Sequence, residues 1–267
     1  MKIKVIVLHY GDDSKLSKSL NCLKENIDLK EVTVVNNNPN TLSFTTQAHI
    51  IHNPANNGYA GGMNVGIKSI LDSDADYILL LTNDITFDNN FVHDLSKYLD
   101  QNQCDICGVS VLDEKGKVWF NGGEIDKNRY TAGHTALKTD YISGCLICVK
   151  KQVFKTIGLF DENYFMYYED ADLCTRAKKN GVIIKINSSQ VAYHATSHSA
   201  SAEKNMQYYL ARNHIYFLKK HAPLFIQLRE YARLPKTISQ HITKKEYDAL
   251  QGVVDGLRGK YGRRISA

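Results

Sequence analysis

The sequence predicts an α/β fold with a mixed, mostly parallel central sheet flanked by helices and a helical C-terminal appendage. Three observations predict it. Strand-like and helix-like segments alternate from the N-terminus through Leu81, the pattern of crossover-connected parallel strands. Polar loops follow three of the apolar strands, where open α/β sheets bind ligands. From residue 204 onward the composition turns to basic, helix-favouring residues.

In chain order, residues 2–10 (KIKVIVLHY) read as a first strand buried on both faces. Residues 14–26 carry helical periodicity through Leu16, Leu20 and Leu23, with Ser14 at the N-cap position. A strand over Glu31–Val35 runs into Asn36-Asn37-Asn38-Pro39-Asn40, and a short strand is expected near His49–His52. The glycine-rich loop from Asn53 to Gly62 leads to a helix from Met63 to Leu71, and the apolar Tyr77–Leu81 ends at Thr82-Asn83-Asp84. Beyond residue 105 shorter strands are expected over Ile106–Leu112, Val118–Asn121, Tyr141–Val149 and Val182–Ile186. They read as the second half of one domain, residues 1–203, with 204–267 as the appendage.

Composition narrows the function classes. With 267 residues and 43% apolar content, the chain suits one large domain plus an appendage. No window approaches the ~20 apolar residues that span a bilayer, and MKIKVIVLHYG is too short for a secretory signal. An intracellular protein is expected. The net charge of +5 is uneven: residues 204–267 hold 13 Lys/Arg against 4 Asp/Glu, a balance of +9, which leaves the body at −4. Such a tail suits an anionic membrane surface or a lipid-linked substrate, and it also suits a homodimer contact. The acidic body argues against nucleic acid. Cys104-x-x-Cys107 and Cys145-x-x-Cys148 sit in strand-like stretches, where positions i and i+3 face opposite ways, so they read as buried thiols and not a zinc ribbon.

The most informative stretch runs from Phe160 to Leu173, with five carboxylates among aromatic residues. Carboxylates are costly to bury unpaired, so such a cluster lines a wet cleft or meets cations, and one beside apolar rings suits a general base. A solvated helix N-terminus is the alternative. Asp84 closes a buried strand and is read either as a ligand for a divalent ion, whose remaining positions a diphosphate and water would fill, or as a cap of the next helix. His194 closes a later strand and could complete a metal shell with Asp84, with His198 a weaker candidate. The loop Asn56–Gly62 lacks P-loop and dinucleotide spacing.

Together these segments resemble the inverting family 2 glycosyltransferases of GT-A (Rossmann-like) fold, in their rhamnosyltransferase-like branch. The resemblance is carried in order by VIVLHYG, VVNNN, NPANNGYAGGMNVGI, LLLTND, YISGCLICVKKQVFKTIGLFDENYFMYYEDADLCTRAKKNG, VAYHATSHS, YYLARN and LQGVVDGLRGKYG. It implies that Asp84, with Asn83 in the Asp-x-Asp-type position, binds Mg²⁺ or Mn²⁺, and that His194 is a second metal or diphosphate ligand. It implies that Asp170 is the catalytic base. His9, Tyr10, Gly11, Asn36, Asn57, Gly58 and Asn64 would surround the nucleotide sugar, while Gly144, Glu169, Asp172 and Arg176 would orient the acceptor or the loop.

Two positions depart from the family. Thr82 replaces the first acid of the metal motif, and Asn36 stands where many relatives have Asp. The Asn36 amide oxygen can still accept a hydrogen bond from a uracil or thymine imide. The resemblance implies single-displacement transfer of a sugar, L-rhamnose from dTDP-rhamnose or another dTDP- or UDP-sugar, to a hydroxyl of a lipid-linked cell-surface glycan at the inner membrane face. A donor-binding relative without turnover is the alternative. A sugar nucleotidyltransferase is disfavoured, because His9-Tyr10-Gly11-Asp12-Asp13 puts acids where that chemistry needs glycines and a base.

Overall fold

The computed structural model describes residues 1–135, 138–195 and 200–264. Its sheet is built on β1 (Ile3–His9), flanked in parallel by β2 (Val32–Asn36) and β4 (Tyr77–Thr82). β3 (His49–His52) extends the parallel block outside β2. These strands are rich in Val, Ile and Leu because helices cover both faces, and Val5, Ile6, Val7, Leu79 and Leu80 are fully buried. Helices α1 (Asp13–Lys24) and α2 (Gly58–Ile70) make the crossovers. Asp12, not Ser14, caps α1, accepting from Ser14 N–H at 2.8 Å.

Helix α2 starts five residues before the expected Met63. Its early glycines read as a loop, yet they serve close packing. A Cβ on Gly62 would lie 2.5 Å from a Leu8 methyl and 2.6 Å from the Asn37 amide, so only glycine lets the helix lie on the sheet there.

The second half continues the sheet in mixed sense: β10 (Leu146–Lys150) runs antiparallel to β4 and to β6 (Ile106–Asp113). β11 (Ile184–His194) runs parallel to β6, while β5 (Ile85–Thr86) and β7 (Val118–Phe120) are short antiparallel additions. The strand expected from Tyr141 begins only at Leu146, because Tyr141 bridges to Gly123 and the chain turns at Gly144–Cys145 first. The strand expected to stop at Ile186 continues to His194 through a bulge between Asn187 and Val191. Asn187, Ser189 and Gln190 satisfy one another there, which allows a turn-like composition inside a strand. The helix expected after Asp84 is α3 (Phe91–Asn102), while sequence periodicity missed α4 (Lys151–Ile157) and the separate hairpin of β8 (Gly123–Asp126) and β9 (Thr131–His134).

α5 (Glu169–Lys179) carries the acidic cluster. The remaining helices are α6 (Ala200–His221), α7 (Leu224–Thr243) and α8 (Tyr247–Leu257), with α8 packed along α6. Phe217 of α6 belongs to the same buried core as the sheet, so α6 packs on the body. No helix among the described residues is long and apolar enough to cross a membrane.

Candidate active site

Parallel register brings the polar strand ends together. His9 pairs with Asn36 across β1 and β2, Leu8 pairs with Thr82 across β1 and β4, and Asn36 pairs with His52 across β2 and β3. His9 is fully buried: its Nδ1 accepts from the Asn83 amide at 2.9 Å and its Nε2–H donates to Asp13 at 2.8 Å. Burial lowers the His9 pKa, although Asp13 opposes the shift. His9 and Asn83 are thus bonded to each other and to the loop. Tyr10 is exposed, and Gly11, with φ of +91°, exchanges two hydrogen bonds with Asn38.

Beyond β2 and β3 lies an open hollow of about 290 Å³ whose lining includes Asn36, Leu42, Phe44 and His52. Apolar walls with few polar groups suit a flat heterocycle. The Asn36 amide is less free than its sequence position implies: its Nδ2 donates to Asn40 O at 2.9 Å and its Oδ1 accepts from Asn38 N–H at 3.0 Å. One lone pair of that oxygen stays available.

Asp84 leaves β4 into β5 and so does not cap a helix. Its Oδ2 lies 3.3 Å from His194 Nε2, and its Oδ1 accepts from the Thr82 hydroxyl at 2.6 Å. The backbone makes this meeting: His194 pairs with Ile85, and Ala195 N–H donates to Asp84 O at 3.0 Å. Burial pushes the Asp84 carboxyl up, but His194, Thr82 and Lys15 outweigh it and leave the group below its ordinary value. His194 Nδ1 is buried with no partner. A carboxylate facing an imidazole with an unsatisfied nitrogen fits a divalent ion that takes its other ligands from phosphate and water. His198 lies outside the described residues.

Asp170 stands in the first turn of α5, half-buried. Its Oδ2 accepts from Gly144 N–H at 3.0 Å, while Cys145 O accepts from Thr82 N–H at 3.0 Å. Two consecutive residues therefore tie Asp170 to the strand end that carries Asp84. Burial raises the Asp170 pKa, with the Gly144 and Ala171 amides pulling the other way. Glu169 is 5% exposed and its Oε2 has no partner. Burial pushes its carboxyl far up, and Asp170 and Asp172 push the same way.

Other sequence candidates hold the frame. Asn64 bonds Phe160 N–H, Phe160 O and Glu162 at 2.9–3.0 Å, so it clamps α2 to the chain before the acidic cluster and has no donor left for a nucleotide. That corrects its expected role. Asn57 is exposed at the start of α2. Gly58, at φ +73°, has Phe165 O where a Cβ would stand, so it is buried under the acidic segment and does not face solvent. Gly144 accepts a 2.6 Å bond from the Tyr59 hydroxyl. Asp172, fully buried, meets Arg176 at 2.8 Å, Lys220 at 2.8 Å and His221 at 2.7 Å. Arg176 also holds the carbonyls of Ile157 and Leu159 at 2.7 and 2.8 Å.

Arg212 and Asn213 of α6 close the YYLARN segment that carries the resemblance, but the sequence assigned them no role. Phe165, Tyr167 and Tyr168, just before Asp170, all have positive φ, a strained backbone for bulky residues. Asn213 Nδ2 lies within 2.7–3.0 Å of the Tyr164, Met166 and Tyr167 carbonyls. Arg212 Nη2 donates to Tyr164 O at 2.7 Å. The available signal was the Arg-Asn pair within the tyrosine-rich YYLARN segment. Trp119, the chain's single tryptophan, and His134 were missed too.

The architecture is that of the GT-A glycosyltransferases. Residues 4–158 match the family model for glycosyl transferase family 2, and the chain belongs to that family. It is 27% identical, over 97% of each chain, to the dTDP-rhamnosyl transferase RfbF of Shigella flexneri. It is 35% identical to the N-acetylglucosaminyl-diphospho-decaprenol L-rhamnosyltransferase of Mycobacterium tuberculosis, over 28% of this chain and 27% of that one. Among solved structures, GalNAc-T7 with UDP, GalNAc and Mn²⁺ superposes with a TM-score of 0.67 at 11% identity. That superposition covers 96% of this chain and 56% of the other.

Proposed function

We propose that this protein is a metal-dependent inverting glycosyltransferase. It would move a sugar, L-rhamnose from dTDP-rhamnose, to a hydroxyl of a lipid-linked cell-surface glycan. The observation that carries the reading is the link through Gly144 and Cys145, which ties the Asp170 carboxylate to the end of β4, beside Asp84 and the His194 of β11 that faces it. The rhamnosyl donor and the diphospholipid acceptor rest on the names of the two relatives, and the Mn²⁺ found with GalNAc-T7 supports a divalent ion here.

The chain's own residues divide the work. The hollow at Asn36 and Phe44 takes the base, and Asp84 and His194 would hold Mn²⁺ or Mg²⁺ against the diphosphate. A divalent ion there supplies neutralisation of charge on the leaving group. Asp170 accepts the proton of the attacking hydroxyl, and burial, by raising its pKa, makes it a stronger base than a free aspartate. One base with no covalent partner gives inversion in one displacement.

Helix α7 supports docking at an anionic membrane surface. It exposes Leu224, Phe225 and Leu228, at 69%, 68% and 59%, on a helix that also carries Arg229, Arg233 and Lys236. This orientation would bring a lipid-linked acceptor to the enzyme.

The test is a thermal-shift panel of nucleotide sugars with Mn²⁺, followed by a transfer assay with the donor that stabilises. A selective shift with dTDP-rhamnose is expected, since a ligand at 100 times its Kd adds ~2.7 kcal/mol. A panel in which no pyrimidine-diphosphate sugar raises the melting temperature would falsify the reading.

A further inference from the structure

The β8–β9 hairpin lies beside the proposed base and has no role in the chemistry above. It is joined to the acidic segment and to the Tyr141–Cys145 turn at once. The hydroxyl oxygen of Tyr168, which precedes α5, accepts from Ala132 N–H at 3.3 Å, and Gly123 bridges to Tyr141. The same turn presents Gly144 N–H to Asp170. The hairpin, the turn and the start of α5 are therefore held against one another next to Asp170.

Into that frame the hairpin brings His134, exposed to solvent, and β7 brings the half-buried Trp119. The two rings meet edge to face with centroids 4.8 Å apart, and Trp119 also meets His194 at 4.5 Å. His134 Nδ1–H donates to Trp119 O at 3.1 Å. That bond places the ring hydrogen on Nδ1, so in the neutral imidazole Nε2 carries the lone pair and can accept. Next to His134 is an open hollow of about 160 Å³ whose lining also includes Glu124, Asp126 and Thr131.

A half-buried aromatic ring, an exposed imidazole nitrogen and nearby carboxylates are the chemistry that recognises a sugar ring: apolar C–H faces rest on aromatic rings, and hydroxyls donate to acceptors. We propose that Trp119 and His134 form the acceptor subsite, in which a terminal sugar ring of the acceptor packs on Trp119 and donates a hydroxyl to His134 Nε2. This rests on the glycosyltransfer reading and adds which residues choose the acceptor. Because Trp119 also touches His194, an occupied acceptor subsite sits against the metal-binding pair.

The single tryptophan makes the proposal directly measurable. The full-length protein is saturated with dTDP and Mg²⁺, and its tryptophan emission is followed during titration with octyl glycosides of L-rhamnose, N-acetylglucosamine and galactose. At least one glycoside is expected to give a saturable change. His134→Ala should weaken that glycoside about 10-fold or more, equivalent to ~1.4 kcal/mol. It should leave the dTDP-induced rise in melting temperature unchanged, which also shows that the variant is folded. No emission change with any of the three glycosides, or equal affinity in His134→Ala, overturns the subsite. Absence of any dTDP-induced shift in the wild-type protein instead overturns the functional reading beneath it.

Discussion

Asp84 Oδ2 and His194 Nε2 stand 3.3 Å apart although they come from opposite halves of the chain. The short pairing of β5 with β11 and the Ala195–Asp84 backbone bond bring them together, so the pair is set by sheet geometry before any ion binds. Replacing Asp84 with Ala is expected to abolish the extra thermal stabilisation that Mn²⁺ adds to a nucleotide-bound sample. His194→Ala should reduce it. Thermal shift with dTDP, with and without Mn²⁺, checks both, and an unchanged increment in Asp84→Ala would contradict the assignment.

Asp170→Asn should lower kcat by ~10²–10⁴, the range for loss of a general base, while preserving the nucleotide-induced melting shift. A variant that still transfers at the wild-type rate would remove Asp170 from the chemistry. The pH dependence has a definite sign. The base works only when deprotonated, and burial raises its pKa, so kcat/KM should climb with pH along an acid limb lying above ~3.9, the value of a free aspartate. A limb at or below that value counts against the buried-base reading.

Asn213→Ala removes a donor shared by three carbonyls of a strained segment. Leaving buried carbonyls unpaired costs ~1–3 kcal/mol each, so a clear loss of stability in chemical denaturation is expected. In the population that stays folded, kcat should fall while the donor KM holds, because the pair positions Asp170 and touches no nucleotide. An unchanged kcat would restrict Arg212 and Asn213 to a stability role.

Asp172 predicts the acid limb of stability. Although burial opposes it, His221, Arg176 and Lys220 hold its carboxyl far below the ordinary aspartate value. A depressed folded pKa gives stability that is fully present above the unfolded value near ~3.9 and is lost as pH falls from there toward the folded pKa. Asp172→Asn should therefore cost ~3–5 kcal/mol at neutral pH and flatten the stability decline below ~pH 4. Urea midpoints from pH 3 to pH 7 provide the measurement.

Gly58→Ala should be among the most damaging small substitutions. The position has φ of +73°, and an added Cβ would lie 2.3 Å from Phe165 O. Loss of the folded state, or a steep drop in melting temperature, is expected, and a neutral result would mean that the acidic segment shifts easily away from α2.

The sequence alone determined the alternation of strands and helices, the three polar strand ends and the acidic cluster. Those features are local: a run of Val, Ile and Leu buried on both faces, or Asn and Asp at a strand end, carries its own signature. It misjudged α2 and β11, where glycines and Asn-Ser-Ser-Gln have the composition of turns but serve close packing and a bulge. It could not reveal that Asn64 is spent on clamping Phe160. Only tertiary structure decided that His194 meets Asp84, that Gly144 and Cys145 tie Asp170 to β4, and that Arg212 and Asn213 hold the strained turn ahead of the base. Each of these depends on strand register or on helix docking across long stretches of chain, and neither leaves a periodic mark on the residues that meet.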